Sequence, residues 1–94
     1  MKGKFTPANV RDTVSVSRRV QKQIARLPSE IQDHIDSAVR QLAENPRPPG
    51  SRMLSARGGE WRIRVGTYRV VYVIDDVERV VLILAVWRRR RGYR

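Results

Sequence analysis

The fold is decided by residues 60–74, which read EWRIRVGTYRVVYVI. Polar and apolar side chains alternate from Glu60 to Val65, which is typical of a strand with one buried face. Gly66 and Thr67 have the length and the glycine of a two-residue hairpin turn, and an apolar return strand follows them. The stretch therefore predicts an antiparallel hairpin whose first strand turns its tryptophan toward the core.

The register of this hairpin brings arginines together. If the turn has only two residues, Arg64 stands directly opposite Arg69, and opposed residues project from the same face of a sheet. Arg62 lies two residues before Arg64 and joins them on that face. Opposed like charges destabilise a strand pair by roughly a few tenths of a kcal/mol, so the cluster is most easily explained if it binds phosphate. The alternative is a solvated face whose arginines pair with Glu60 or with aspartates.

The remaining segments supply a further strand and a helical layer. Residues 79–86 are apolar at every position but the first, which predicts a central strand covered on both faces. Apolar spacing predicts a short strand at 14–16 and two helices, the first capped by Ser17 and the second by a capping box of Ser29 and Gln32. The fold class is therefore α+β, with a short N-terminal strand, a two-helix hairpin and a three-stranded antiparallel meander, the helices lying on one face of the sheet.

Length and composition predict one small domain. The 94 residues leave no room for a second core, so residues 1–94 are expected to form a single domain with residues 1–12 as a loose N-terminal arm. The chain has no cysteine, which excludes disulfide scaffolds, cysteine-bound zinc and thiol catalysis. No apolar run is long enough to span a bilayer and no N-terminal apolar segment marks secretion, so we expect a cytoplasmic protein.

The charge indicates a polyanionic or acidic partner. The chain carries 20 basic and 9 acidic side chains, a net charge of +11, and only three of the basic residues are lysine. Arginine binds phosphate through a planar fork, so a surface built from it suits nucleic acid. The C-terminal segment combines arginines with aromatic rings, as RNA-binding segments do, and its expected RNA-binding residues are Trp87, Arg88, Arg90 and Arg91. The alternative is a basic tail without a binding role.

Several segments occur in the order of a known family: LPSEI at 27–31, LAENPRPPG at 42–50, WRIRVGTYRVVY at 61–72 and the arginine-rich end with Tyr93. Over residues 14–94 the chain resembles the RelE-type toxins of the RelE/ParE superfamily. The resemblance implies a small basic ribonuclease that enters the ribosomal A site and cuts mRNA there without a metal or cofactor. It also implies an acidic RelB-type antitoxin that silences the toxin and through which the complex binds operator DNA.

The resemblance also assigns residues. The family's catalytic positions fall on Arg62, Arg64, Arg69, Arg89 and Tyr93. This chain departs from the family at two places. Arginines stand at the two strand positions where the best-studied branch has lysines, and Trp87 and Arg88 replace the glycine and histidine of many short relatives.

The family's reaction is attack of a ribose 2′-OH on the adjacent phosphate, which leaves a 2′,3′-cyclic phosphate and a 5′-OH. The arginines can stabilise the charge of the phosphorane, but arginine is a poor general base because its pKa exceeds about 12. Tyr93 is the expected acid, or the base if neighbouring guanidiniums lower its pKa. Glu60 is a further candidate, and the base remains unassigned.

Two other functions compete with the nuclease. One is a ParE-like gyrase inhibitor, a protein-binding toxin on the same fold. The other is a catalytically weak RNA-binding relative, which the missing lysines favour. The single histidine, His34, is expected at the surface of the second helix. Together with Asp33 and Asp36 it is only weak evidence for a metal-binding site.

Overall fold

The computed structural model describes residues 12–55 and 58–89. Its elements are β1 (Thr13–Val16), α1 (Arg18–Ala25), α2 (Ser29–Glu44), β2 (Arg52–Ser55), β3 (Glu60–Val65), β4 (Tyr68–Asp75) and β5 (Val80–Arg88). The strands form one sheet in the order β1-β5-β4-β3-β2, in which β1 is parallel to β5 and the other neighbours are antiparallel. The predicted α+β architecture is confirmed, and β2 is a strand that the prediction did not contain.

The two helices begin in different ways. The Oγ of Ser17 accepts a hydrogen bond from the backbone N–H of Val20 at 3.2 Å, as predicted for the start of α1. The capping box predicted for α2 is wrong, because α2 follows Pro28 and has no side-chain cap. The Gln32 amide instead donates to the backbone oxygens of Leu27 at 2.7 Å and Ala25 at 3.3 Å. These carbonyls at the end of α1 have no helical partner to accept from, so they compete successfully for the amide.

The core lies between the helices and one face of the sheet. The helix residues buried in this core are Val20, Ile35, Val39 and Leu42, and its buried sheet residues are Ile63, Val70, Tyr72, Val81, Ile83 and Val86. Each buried aliphatic side chain contributes about 1.5–3 kcal/mol to this layer. Both helices use the same face, as predicted, so the described elements leave the opposite face of the sheet open.

The apolar run of β5 does not mark a strand covered on both faces. The strand lies inside the sheet, between β1 and β4, but Leu82 on the open face is 37% exposed, so cover on both faces is wrong. The pairing with β4 shifts where Val71 faces Ala85 and Tyr72 faces Ile83. This bulge changes the parity of the strand, so buried residues no longer fall at every second position. The bulge therefore explains the pattern between Ile83 and Val86, whereas Leu82 is an exposed apolar residue on the open face.

The N-terminal end of the described chain is fixed. Asp12 is buried, its backbone N–H donates to the Ala43 oxygen at 2.7 Å, and its carboxylate lies 3.5 Å from the Arg79 guanidinium. The rest of the predicted arm lies outside the described residues. Within the described chain neither helix is long and apolar enough to cross a membrane.

Candidate nucleic-acid interface

The hairpin register places Arg64 directly opposite Arg69, as predicted. Gly66 has a φ of 61°, and it is the first central residue of the turn. A positive φ at that position is typical of a type II′ turn, whose twist matches that of the two strands. The glycine therefore fixes the two-residue loop, and the loop fixes the arginine pair.

Two rows of opposed residues cross the open face of the sheet. The first row runs Arg64, Arg69, Trp87 over β3, β4 and β5, and the second runs Arg52, Arg62, Val71 over β2, β3 and β4. Opposed residues share a face, and so do residues two apart on a strand. The two rows are therefore neighbours on the face opposite the helices.

Arg62 lies at the centre of this surface. It is only 7% exposed, and its Nη1 donates to the backbone oxygen of Gly50 at 3.3 Å. Burial lowers the pKa of the Arg62 guanidinium, and four positive neighbours lower it further; these are Arg64, Arg52, Arg69 and Arg89. We call these four residues and Arg62 the arginine cluster. Its members repel one another, so an anion bound among them gains the attraction of all five.

Within the described chain the arginine cluster has no acidic partner. The ion pairs there lie elsewhere: Arg40 with Asp36, Arg47 with Asp76 and Arg79 with Asp12. Glu60 shares the open face but forms no ion pair with any described residue, so the structure does not support the alternative of a neutralised surface. The Nε–H of Arg69 is buried without an acceptor. A buried donor left unpaired costs about 1–3 kcal/mol, which a bound anion can offset.

An open cavity of about 300 Å³ adjoins the cluster. Its walls are Pro49, Gly50, Arg62, Ile63 and Arg64, so guanidinium groups and the connection between α2 and β2 share it. The cavity gives an extended ligand room beside the buried guanidinium of Arg62.

The predicted site residues near the C-terminus lie on both faces of the sheet. Trp87 is 44% exposed beside Arg69 on the open face. The next residue, Arg88, is opposite Tyr68 and projects toward the helix side, so the structure does not bring it into the cluster. Arg89 donates its backbone N–H to Thr67 at 2.7 Å and so lies beside the hairpin turn. Arg90, Arg91 and Tyr93 lie outside the described residues.

Sequence reasoning missed Arg52. A strand of four residues is too short to show a period, and residues 47–50 read as a stiff connection. The signal that could have found it is the Gly58-Gly59 turn, because a turn before β3 implies a partner strand on its other side. His34 is exposed on α2 as predicted, and the described residues contain no group of three side chains that could hold a metal ion.

Comparison with known proteins places the chain in a family. Residues 14–93 match the family described as ParE toxin of type II toxin-antitoxin system, parDE. The chain belongs to this family of toxins. Toxin RelG of Mycobacterium tuberculosis is 32% identical over 88 residues, which cover 94% of this chain and 98% of the relative. Toxin RelE of the same organism is 32% identical over 82 residues, which cover 86% of this chain and 84% of the relative.

Solved structures agree with the sequence relatives. In the M. tuberculosis RelBE2 toxin–antitoxin complex, the matched chain is 29% identical with a TM-score of 0.74, over 85% of this chain and all of that one. In the RelE–RelB complex of Pyrococcus horikoshii, the matched chain is 26% identical with a TM-score of 0.76. The match covers 85% of this chain and 97% of that one. The chain is thus a RelE-type toxin of a type II toxin–antitoxin system, and the resemblance seen in the sequence is confirmed.

Proposed function

We propose that this toxin is a ribosome-dependent mRNA endonuclease that cuts in the A site and so inhibits translation. The observation that carries the proposal is the arginine cluster. Four of its guanidiniums lie on one open face, one of them buried, Arg89 lies beside the hairpin turn, and none has an acidic partner in the described chain. Charge aimed at the place where negative charge develops is usually the largest contribution to such catalysis.

The chemistry follows from these groups. A general base accepts the proton of the ribose 2′-OH, the 2′-oxygen attacks the adjacent phosphorus, and the bond to the 5′-oxygen breaks. The products are a 2′,3′-cyclic phosphate and a 5′-OH. Arg62, Arg64, Arg69 and Arg89 stabilise the phosphorane, and Tyr93 transfers a proton to the leaving oxygen.

A second basic surface supports a polyanionic partner. Exposed cations follow α1: Arg18, Arg19 and Lys22 lie in the helix, Arg26 is the residue directly after it, and no acidic residue lies in the first turn. Cations in the first turn oppose the helix dipole, and like charges four residues apart destabilise a helix. We assign these α1 cations to contacts with ribosomal RNA, since Arg18 and Arg19 lie at the end of the helix where the dipole disfavours a cation.

An acidic antitoxin is the second partner that we propose. Several solved relatives are complexes of RelE with RelB. A chain with a net charge of +11 attracts an acidic segment, and covering the arginine cluster would block the site. Binding of operator DNA through the antitoxin belongs to the same proposal, as does a cytoplasmic site of action.

A gyrase inhibitor is the second candidate function, because the matched family carries the ParE name. Such a toxin binds a protein and needs no phosphate site. The unpaired Nε–H of Arg69 favours the nuclease over it. A catalytically weak RNA-binding relative remains the third candidate, since lysines are absent from the strand positions.

Primer extension on mRNA incubated with the toxin and translating ribosomes tests the proposal. We expect cuts within A-site codons, products with a 2′,3′-cyclic phosphate, and no cuts when ribosomes are omitted. Arg40→Ala is the matched control, because Arg40 is an exposed arginine paired with Asp36 on α2. Intact mRNA together with loss of DNA supercoiling by gyrase would select the ParE-like alternative.

A further inference from the structure

The connection between α2 and β2 is a stiff segment with a defined end. Residues 45–51 read NPRPPGS, and each of the three prolines has its φ fixed by its ring. The backbone N–H of Ser51 donates to the Pro48 oxygen at 2.9 Å, and Gly50 has a φ of 91°. Proline followed by a glycine of positive φ is typical of a type II turn. The turn sets the direction in which the Gly50 carbonyl points.

Two contacts hold the start of this segment on the sheet. The hydroxyl of Tyr72 donates to the Pro46 oxygen at 2.7 Å, and the residue is fully buried. Burial raises the pKa of this hydroxyl, so it is a donor at neutral pH. Arg47 donates to both carboxylate oxygens of Asp76, at 3.2 and 3.0 Å, and its guanidinium lies 5.2 Å from the Trp61 ring centre. Because the Arg47 pair is exposed, the Tyr72 contact is the stronger anchor.

The far end of the segment holds Arg62. The Gly50 oxygen is the only hydrogen-bond acceptor that Arg62 has within the described chain. The other members of the arginine cluster repel Arg62, and only 7% of this residue is exposed. Without this acceptor the guanidinium gains by leaving the cluster for solvent.

We propose that Tyr72 is a positioning residue for Arg62: by holding Pro46 it sets the Gly50 carbonyl, which keeps the Arg62 guanidinium inside the arginine cluster. The prolines between these two points leave few free torsions, so a displacement at Pro46 reaches Gly50. Tyr72 itself lies on the helix-facing side of β4 and touches no RNA. The effect of this chain of contacts on cleavage rests on the function proposed above.

Tyr72→Phe tests the proposal, with Tyr68→Phe as its matched control. Both tyrosines lie on the same side of β4, and the Tyr68 hydroxyl has no hydrogen-bond partner in the described chain. The first readout is the rate at which phenylglyoxal, a reagent for guanidinium groups, modifies Arg62, followed by mass spectrometry of the peptide. The Tyr72 hydroxyl donates to the Pro46 oxygen and also hydrogen-bonds with the Ser51 side chain, next to Gly50. We expect the rate to rise about five-fold or more in Tyr72→Phe, which loses both contacts, and to stay unchanged in Tyr68→Phe. The exposed Arg26 is the internal reference.

The second readout is the cleavage rate on ribosomes. We expect kcat to fall in Tyr72→Phe with KM nearly unchanged, because the exposed arginines still bind RNA. If Tyr72→Phe does not fold cooperatively, Arg47→Ala weakens the other anchor and should raise Arg62 modification in the same direction. Equal Arg62 modification in wild type and in both anchor variants would overturn the positioning role. A different outcome is also possible: Arg62 modification rises in the anchor variants, but the wild type does not cleave mRNA on ribosomes. That result would overturn the proposed nuclease function and leave the positioning role in place.

Discussion

Arg64 and Arg69 face each other across the β3–β4 hairpin, two residues from a turn whose glycine fixes their register. Opposed like charges cost about 0.2–1 kcal/mol, and the buried Nε–H of Arg69 adds the cost of an unmet hydrogen bond. The Arg64–Arg69 pair therefore lowers the stability of the fold. Such a cost is typical of a site that is completed by its ligand.

Arg69→Ala should separate activity from stability. We expect cleavage of mRNA to fall by about 10²–10³, the usual effect of removing one donor that stabilises developing charge. The melting temperature should stay the same or rise, because the substitution relieves the repulsion with Arg64. Arg40→Ala is the control and should keep full activity. A melting temperature lowered by several degrees in Arg69→Ala would show that this arginine stabilises the fold.

The sequence predicts the hairpin, its register and three members of the arginine cluster, because alternation and a two-residue turn are local signals. A fourth member, Arg89, is named only by the family resemblance. The sequence does not predict Arg52, because this residue joins the arginine cluster through β2, a strand too short to show a period. The capping box at Ser29 fails because nearby carbonyls of α1 take the Gln32 amide, which is a tertiary effect. The contact from Tyr72 to Pro46 joins residues 26 apart, and no local pattern encodes such a contact.

The Arg47–Asp76 pair should be visible in the titration of Asp76. The hydrogen bonds from Arg47 lower the pKa of this carboxyl below its ordinary value of 3.8. A folded-state pKa below the unfolded one stabilises the fold above the unfolded pKa, and this contribution is lost as the pH falls through the folded-state pKa. We expect carbon NMR to show the pKa of Asp76 rising toward its ordinary value in Arg47→Ala. Arg40→Ala should leave it unchanged, and an identical Asp76 titration in Arg47→Ala would mean that the pair does not form in solution.

Tyr93→Phe should slow the chemical step and spare binding. In the proposed reaction Tyr93 transfers a proton to the leaving oxygen, and in the sequence it follows Arg89 by four residues. General acid–base groups contribute about 10²–10⁴ in rate, so single-turnover cleavage should fall by a factor in that range. Ribosome affinity should be unchanged because the ring and the arginines remain. Full activity in Tyr93→Phe would place the proton donor elsewhere, on the ribosome or on a water.

Lys22→Gln should reveal the α1 cations as an RNA-binding surface distinct from the arginine cluster. A cation that contacts a phosphate releases counterions, so its loss lowers the slope of log affinity against log salt by about 0.7–1. We expect that change for ribosome binding by Lys22→Gln, because Lys22 is exposed on α1 and has no acidic partner in the described chain. Arg40→Gln on α2 removes one exposed cation as well, but that cation is paired with Asp36, so the slope should not change. If both variants lower the slope equally, only the net charge of the toxin matters. If neither does, α1 faces away from the ribosome and the arginine cluster alone supplies the affinity.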